Sequence, residues 1–123
     1  MCEYTCAGGK MTRGITVGAT YEAVLASKGQ TPTKEAMFQA QVVGWCIEWL
    51  QACFLVLDDI MDDSSVRRGQ PCWYKVPGVG KMAINDGLIL ESCIWILLKK
   101  HLKSDPATYL ALTELFQVLD PKP

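Results

Sequence analysis

An almost unbroken apolar segment that runs into a cluster of acidic residues constrains this chain more than any other feature of its 123-residue sequence. Residues 42–57 carry only two polar side chains, Glu48 and Gln51. Four aspartates then follow in quick succession: Asp58, Asp59, Asp62 and Asp63. A membrane-spanning helix needs roughly 20 apolar residues, and this run is shorter and leads straight into the four aspartates. We therefore expect a helix that is enclosed by other helices and does not span a membrane.

Helical periodicity and the placement of proline and glycine predict an all-α protein with about four helices. The predicted helices cover residues 13–27, 34–62, 83–102 and 107–119. Thr33 follows a proline and caps the second helix, and Gly29 ends the first. Residues 64–81 contain two prolines and three glycines, which predicts a loop without strands.

The second and third predicted helices carry apolar residues on every face, which is typical of helices surrounded by others. Four helices of this length cannot enclose both of them. We therefore expect the chain to self-associate or to be one part of a longer protein.

Charge and cysteine usage narrow the functional classes. Twelve Lys and Arg against thirteen Asp and Glu give a net charge of -1, so no overall charge favours nucleic acid or anionic lipid. The six cysteines follow no compact disulfide framework, and no signal segment is recognised at the N-terminus. These features predict a reducing, cytoplasmic location and no nucleic-acid partner.

The first chemical signal is the spacing of the aspartates. Asp58 and Asp62 are four residues apart and therefore share one face of the helix, and Gln51 lies two turns earlier on that face. Carboxylates at a helix C-terminus oppose the helix dipole, so folding alone does not favour them there. A divalent cation such as Mg²⁺ would offset that cost, because it binds carboxylate oxygens. A solvated acidic helix end is the alternative for this segment taken alone.

Cationic residues flank the aspartates on both sides in the sequence. Gly8-Gly9-Lys10 and Arg13 open the first helix, where glycine permits close approach and a helix N-terminus attracts anions. Arg67 and Arg68 follow the aspartates. Ordinary solvated charge is the alternative for the two N-terminal cations alone. Together with the aspartates, these residues predict a site for two polyphosphates, one held through metal and one held directly.

In these motifs the sequence resembles the trans-prenyl diphosphate synthases, and among them the farnesyl diphosphate synthases. The resemblance runs from about residue 4 to residue 116, in segments 8–10, 13–14, 44–52, 54–62, 67–74, 77–80 and 83–86. It implies an isoprenoid-synthase-type helical bundle, magnesium dependence and homodimers. The implied reaction condenses isopentenyl diphosphate with dimethylallyl or geranyl diphosphate to give farnesyl diphosphate.

The resemblance also implies roles for individual residues. Asp58 and Asp62 would be the magnesium ligands, with Asp59 as the middle acid of the motif. Arg67 would contact the allylic diphosphate and, with the three aspartates, form the catalytic set. The isopentenyl diphosphate site would consist of Gly9, Lys10, Arg13, Gln51 and Arg68.

Two residues on the predicted second helix are expected to set product length. Phe54 and Cys53 precede Asp58 by four and five residues, where the family carries aromatic residues that stop elongation at the farnesyl length. Helical periodicity puts Cys53 on the flank of the helix, so Phe54 is expected to be the main stop. Because Cys53 is smaller than an aromatic residue, we expect mainly farnesyl diphosphate with some longer product. An ordinary core residue is the alternative for Phe54.

The sequence departs from the family at both ends. The family's leading helices and its second acidic motif are not among these 123 residues, and residues 117–123 lie outside the resemblance. We therefore expect a partial polyprenyl synthetase domain, a fragment over residues 1–123, that is inactive by itself. One alternative is a non-catalytic chain that binds magnesium diphosphate weakly or associates with an intact synthase. Another is a terpene cyclase, which would have no use for Lys10, Arg13 and Arg68.

Overall fold

The computed structural model describes residues 1–119 and is mostly helical over that range, so the all-α class is confirmed. It contains five α-helices: α1 (Cys2–Cys6), α2 (Thr12–Ser27), α3 (Lys34–Met61), α4 (Met82–Leu102) and α5 (Pro106–Leu119). The four long helices agree with the predicted ones to within a residue at each end. Residues 117–119, the first part of the segment outside the resemblance, complete α5, and residues 120–123 lie outside the described residues.

The helix ends follow the capping residues of the sequence. The Thr33 hydroxyl accepts a hydrogen bond from the Ala36 backbone N–H at 3.1 Å, which satisfies an otherwise unpaired donor at the start of α3. The Asp105 carboxylate accepts one from the Thr108 N–H at 3.3 Å at the start of α5. Gly29 has a φ of +68° and turns the chain after α2.

Two expectations about small elements were wrong. The loop after α3 holds an antiparallel hairpin of β1 (Val66–Arg67) and β2 (Gln70–Pro71), followed by a 3₁₀ turn at Trp73–Lys75. Arg68 and Gly69 both have positive φ at the hairpin turn, at +54° and +77°, and an arginine in the first of these positions hides the usual turn signal. The helix α1 was also missed, because five residues are too few to show a helical period.

Helix α3 is the centre of the fold and packs mainly between α2 and α4. One core cluster joins α3 to the second half of α4 and to α5, through Val42, Cys46, Leu50, Ile94, Leu98, Leu102 and Phe116. A second joins α3 to α1 and to the first half of α4, through Cys6, Ala52, Cys53, Val56, Ala83 and Leu90. Helix α2 buries none of its residues, so one side of α3 is only lightly covered.

Several large apolar side chains remain exposed on the central helices. Phe38 and Trp45 of α3 are 49% and 44% exposed, and Ile84, Leu88 and Ile96 of α4 are exposed as well. The single chain therefore leaves α3 and α4 incompletely enclosed, which agrees with the expectation that four helices cannot enclose both. The expected self-association stays a prediction.

By length and composition alone, α3 could cross a membrane, and it is the one helix among residues 1–119 that could. Its 28 residues exceed the apolar run seen in the sequence because the helix continues through polar residues at both ends. In the fold it is a core helix that contacts α2 and α4 and buries two carboxylates, Glu48 and Asp59.

Candidate functional site

The four aspartates at the end of α3 form two pairs with different surroundings. Asp59 and Asp63 are held by cationic side chains from the following loop. Asp58 and Asp62 are exposed, and the one cation of residues 1–119 within 4 Å of this pair is Arg67, which lies 3.8 Å from Asp58. Asp58 and Asp59 are on the last turns of α3, whereas Asp62 and Asp63 follow its last residue, Met61.

Asp59 and Arg67 form a bidentate ion pair. The Arg67 guanidinium donates from Nε to Oδ2 at 2.8 Å and from a terminal nitrogen to Oδ1 at 2.7 Å. The hairpin carries Arg67 into this position, and Asp59 is only 2% exposed. Burial alone would raise the pKa of Asp59, but hydrogen bonds from Arg67 and Cys72 outweigh it and hold the pKa below its ordinary value. The pair thus fastens the hairpin to the end of α3.

Asp63 contacts two side chains of the same loop. Its Oδ1 lies 3.0 Å from Lys75 Nζ and 3.0 Å from the Tyr74 hydroxyl. The hydrogen bond from Lys75 lowers the pKa of this carboxyl. Asp63 itself has a φ of +51°, which turns the chain away from α3.

Asp58 and Asp62 are left accessible for a ligand. Asp58 forms a long ion pair with Arg67, at 3.8 Å, and the side chain of Asp62 makes no hydrogen bond or ion pair within residues 1–119. Mg²⁺ is commonly bound through one or two carboxylates, with waters and substrate phosphates completing its shell. Two exposed carboxylates one turn apart fit that mode. The described residues contain no cluster of three or more potential protein ligands.

A largely apolar cavity that is open to solvent borders Asp58. It has a volume of about 500 Å³ and is lined by Gln51, Phe54, Leu55, Leu57, Asp58, Met61 and Leu119. Phe54 lines the cavity one turn from Asp58 and also packs against both core clusters. Cys53 does not line the cavity, because it lies 2% exposed in the core cluster with α1 and α4. The expected role of Phe54 in product length stays a prediction.

The predicted cationic residues come together only in part. The Arg68 guanidinium lies over the α-carbon of Gly9, so that a Cβ at Gly9 would be 2.8 Å from its Cζ. The same guanidinium donates to the Ala7 carbonyl at 3.3 Å. Lys10 and Arg13 are exposed, with no hydrogen bond or ion pair from their side chains to the rest of the described chain. We call Gly9, Lys10, Arg13 and Arg68 the cationic segment.

Sequence reasoning missed two residues that this region depends on. Cys72 is 1% exposed beside Asp59, and burial raises the pKa of its thiol, which therefore stays a hydrogen-bond donor. Glu48 is 7% exposed, and its Oε1 accepts a hydrogen bond from the Gly14 backbone N–H at 2.8 Å. The signal for Glu48 was present in the sequence, because it is one of only two polar residues in the apolar run.

Comparisons with known proteins identify the family of the chain. The family model described as Polyprenyl synthetase matches residues 1–119. Farnesyl pyrophosphate synthase 1 of Cannabis sativa is 52% identical over 120 residues, which cover 98% of this chain and 34% of that protein. Farnesyl pyrophosphate synthase of Helianthus annuus is 49% identical with the same coverage. Farnesyl pyrophosphate synthase 1, mitochondrial, of Arabidopsis thaliana is 48% identical, with 98% of this chain and 30% of the relative covered. The chain thus spans about a third of the length of these relatives.

Proposed function

Because the chain belongs to the polyprenyl synthetase family, we propose that its residues hold the two diphosphates of a prenyl transfer reaction. The proposed reaction condenses isopentenyl diphosphate with dimethylallyl diphosphate to give geranyl diphosphate, and with geranyl diphosphate to give farnesyl diphosphate, releasing inorganic diphosphate each time. The observation that carries the proposal is the open pair Asp58 and Asp62 above an apolar cavity. Such a site suits a ligand with an anionic head and an apolar tail.

The allylic diphosphate would bind at the end of α3. Asp58 and Asp62 would hold Mg²⁺, which neutralises charge on the departing diphosphate. Arg67 uses two of its five N–H donors on Asp59, so three remain for a phosphate oxygen. The buried Asp59 fixes the position of Arg67 before substrate arrives, which reduces the ordering needed at the moment of reaction.

Isopentenyl diphosphate would bind to the cationic segment, with Gln51 at the boundary between the two sites. Lys10 and Arg13 have unpaired charges for this purpose, and Arg68 is held over Gly9. In the reaction, the C–O bond of the allylic diphosphate breaks and leaves an allylic cation. The alkene of the second substrate attacks it, a C–C bond forms, and a proton is lost. Positioning and charge stabilisation account for most of the catalysis, so no nucleophilic residue is required.

Binding of dimethylallyl diphosphate to the 123-residue chain tests the aspartate site. We expect Mg²⁺-dependent binding that weakens by roughly tenfold or more in Asp58→Asn and in Asp62→Asn, because each variant removes one charged ligand. Glu35→Gln is the matched control, since Glu35 is an exposed carboxylate in the first turn of the same helix. Equal losses in all three variants would contradict a site at Asp58 and Asp62.

The apolar cavity is tested by the length of the prenyl tail. We propose that Phe54 obstructs long tails, so Phe54→Ala should raise the affinity for farnesyl diphosphate relative to geranyl diphosphate by roughly tenfold. Cys53→Ala serves as the comparison, because Cys53 lies in the core and should leave that ratio unchanged. A constant ratio in Phe54→Ala would place the obstruction elsewhere.

A binding role without turnover is the second candidate for the isolated chain. Asp58 and Asp62 are exposed and form no cluster of three or more potential ligands within residues 1–119. This arrangement supports metal-assisted binding of diphosphate better than complete catalysis. The exposed apolar residues of α4 further support pairing with a second copy or with an intact synthase. Incubation with both substrates and Mg²⁺ separates the candidates: we expect binding without farnesyl diphosphate formation, and turnover would contradict inactivity. A homodimer and a cytoplasmic location stay proposals.

A further inference from the structure

Glu48 is a buried carboxylate that lies on α3 opposite the first turn of α2. Its Oε1 accepts the 2.8 Å hydrogen bond from Gly14, whose N–H has no partner inside α2 because it belongs to the first turn. No cation within residues 1–119 forms an ion pair with Glu48. Its interaction partner is therefore the backbone of α2.

The two helix backbones touch at the same point. A Cβ on Gly14 would lie 2.9 Å from the Glu48 side chain and 2.9 Å from the Gly44 carbonyl oxygen. A Cβ on Gly44 would collide with the Gly14 carbonyl oxygen. This contact and the hydrogen bond therefore constrain where α2 begins relative to α3.

The start of α2 carries the cations of the proposed diphosphate site. Arg13 directly precedes Gly14, and Lys10 is four residues earlier. We propose that Glu48 is a positioning residue for this site: its carboxylate oxygen fixes the N-terminus of α2, and thereby Lys10 and Arg13, relative to α3. This inference rests on the proposed function of the cationic segment.

The proposal requires the acceptor oxygen of Glu48, which separates it from simple packing. Glu48→Gln keeps an oxygen that can accept from Gly14, whereas Glu48→Leu fills a similar volume without one. Glu48→Leu removes a costly buried carboxylate but leaves the Gly14 N–H without its acceptor, so the free energy of unfolding should fall by no more than about 1–3 kcal/mol. The loss that tests the proposal is the one in anion binding, measured on the folded chain.

The experiment measures binding of inorganic diphosphate to the 123-residue chain without Mg²⁺, so that the aspartates do not contribute. We expect Glu48→Gln to bind within about twofold of the wild type and Glu48→Leu about tenfold more weakly. Glu22→Gln is the matched control, because Glu22 is an exposed carboxylate on the same groove between α2 and α3 and should have no effect. Wild-type affinity in Glu48→Leu, or equal losses in both Glu48 variants, would overturn the proposal.

A second readout distinguishes this inference from the proposed function. Replacing both Lys10 and Arg13 by alanine should abolish the binding; if it does not, the proposed diphosphate site is wrong. The backbone amide resonances of Arg13 and Gly14 report on Glu48 whether or not diphosphate binds. They should move in Glu48→Leu and stay close to wild type in Glu48→Gln, and unmoved resonances in Glu48→Leu would overturn the positioning role.

Discussion

The aspartate end of α3 and the cationic segment differ in how much of each is fixed by the fold. At the aspartate end, the buried Asp59 holds Arg67 and the loop returns through Lys75 to Asp63. In the cationic segment, Arg68 is held by a backbone carbonyl, while Lys10 and Arg13 extend into solvent. Sequence spacing thus identified both groups of charges, but only the group at the end of α3 is held in place by its own ion pairs.

A physical reason for this difference lies in desolvation. A buried carboxylate is stable only when its hydrogen bonds are satisfied, so Asp59 requires Arg67 and Cys72 in fixed places. Exposed ammonium and guanidinium groups are already satisfied by water and need no partner. The cationic segment therefore depends on backbone contacts, at Gly9 and at Gly14, for its geometry.

The largest expected effect comes from breaking the buried pair. Arg67→Ala leaves the Asp59 carboxylate buried and unpaired, which should lower the free energy of unfolding by about 3 kcal/mol, at the lower end for such pairs because Arg67 is about a third exposed. Urea denaturation measures this change. Arg13→Ala is the matched control at the other region and should change stability by less than about 0.5 kcal/mol. Equal effects of the two variants would remove the contrast.

The same pair should give the aspartate end a characteristic acid sensitivity. The pKa of Asp59 is lower in the folded chain than its ordinary value. Its contribution to the free energy of unfolding is therefore complete above that ordinary value and is lost as the pH falls through the folded pKa. Between neutral pH and about pH 4 or below, the free energy of unfolding should fall more steeply in the wild type than in Asp59→Asn. Parallel curves would mean that Asp59 does not contribute through its charge.

A feature of this chain could be predicted from the sequence when the residues that determine it lie close together along the chain. The period of the apolar residues and Thr33 predicted α3 and its first residue, because both signals are local. Spacing also predicted that Asp58 and Asp62 share a face. It could not predict that Asp59 faces the loop, since that depends on the hairpin, and the hairpin depends on an arginine with positive φ.

The site residues show the same limit. Arg67 was assigned to substrate by resemblance, and only the fold reveals that two of its donors are already committed to Asp59. Phe54 and Cys53 are neighbours in sequence, yet one lines the cavity and the other lies in the core. Glu48 was visible as a polar interruption, but its partner is a backbone N–H 34 residues away, which no pattern identifies.

An intermediate effect is expected from the contact that organises Arg68. Gly9→Ala places a Cβ 2.8 Å from the guanidinium, which can swing away because it is the end of a flexible side chain. Stability should change little, while affinity for inorganic diphosphate should fall roughly threefold to tenfold. The double variant with Arg68→Ala provides the control: once Arg68 is gone, Gly9→Ala should have no further effect. An undiminished effect would show that Gly9 acts independently of Arg68.

The smallest effect is expected at the outer ion pair of the aspartate end. Lys75 and Asp63 are both well exposed, so water replaces their interaction at little cost. Lys75→Ala should leave the midpoint of urea denaturation unchanged within the measurement error. A loss comparable to that of Arg67→Ala would mean that the loop, and not the buried pair, stabilises the aspartate end.

In the proposed function, the aspartate end of α3 binds diphosphate through metal and the cationic segment binds it directly. Calorimetric titration of inorganic diphosphate into the 123-residue chain, with Mg²⁺ and then with a chelator, tests it most directly. We expect two binding events with Mg²⁺. The chelator and Asp58→Asn should each remove one event, and joint replacement of Lys10 and Arg13 by alanine should remove the other. A single event, lost with the chelator and unaffected by the replacement of Lys10 and Arg13, would contradict the account.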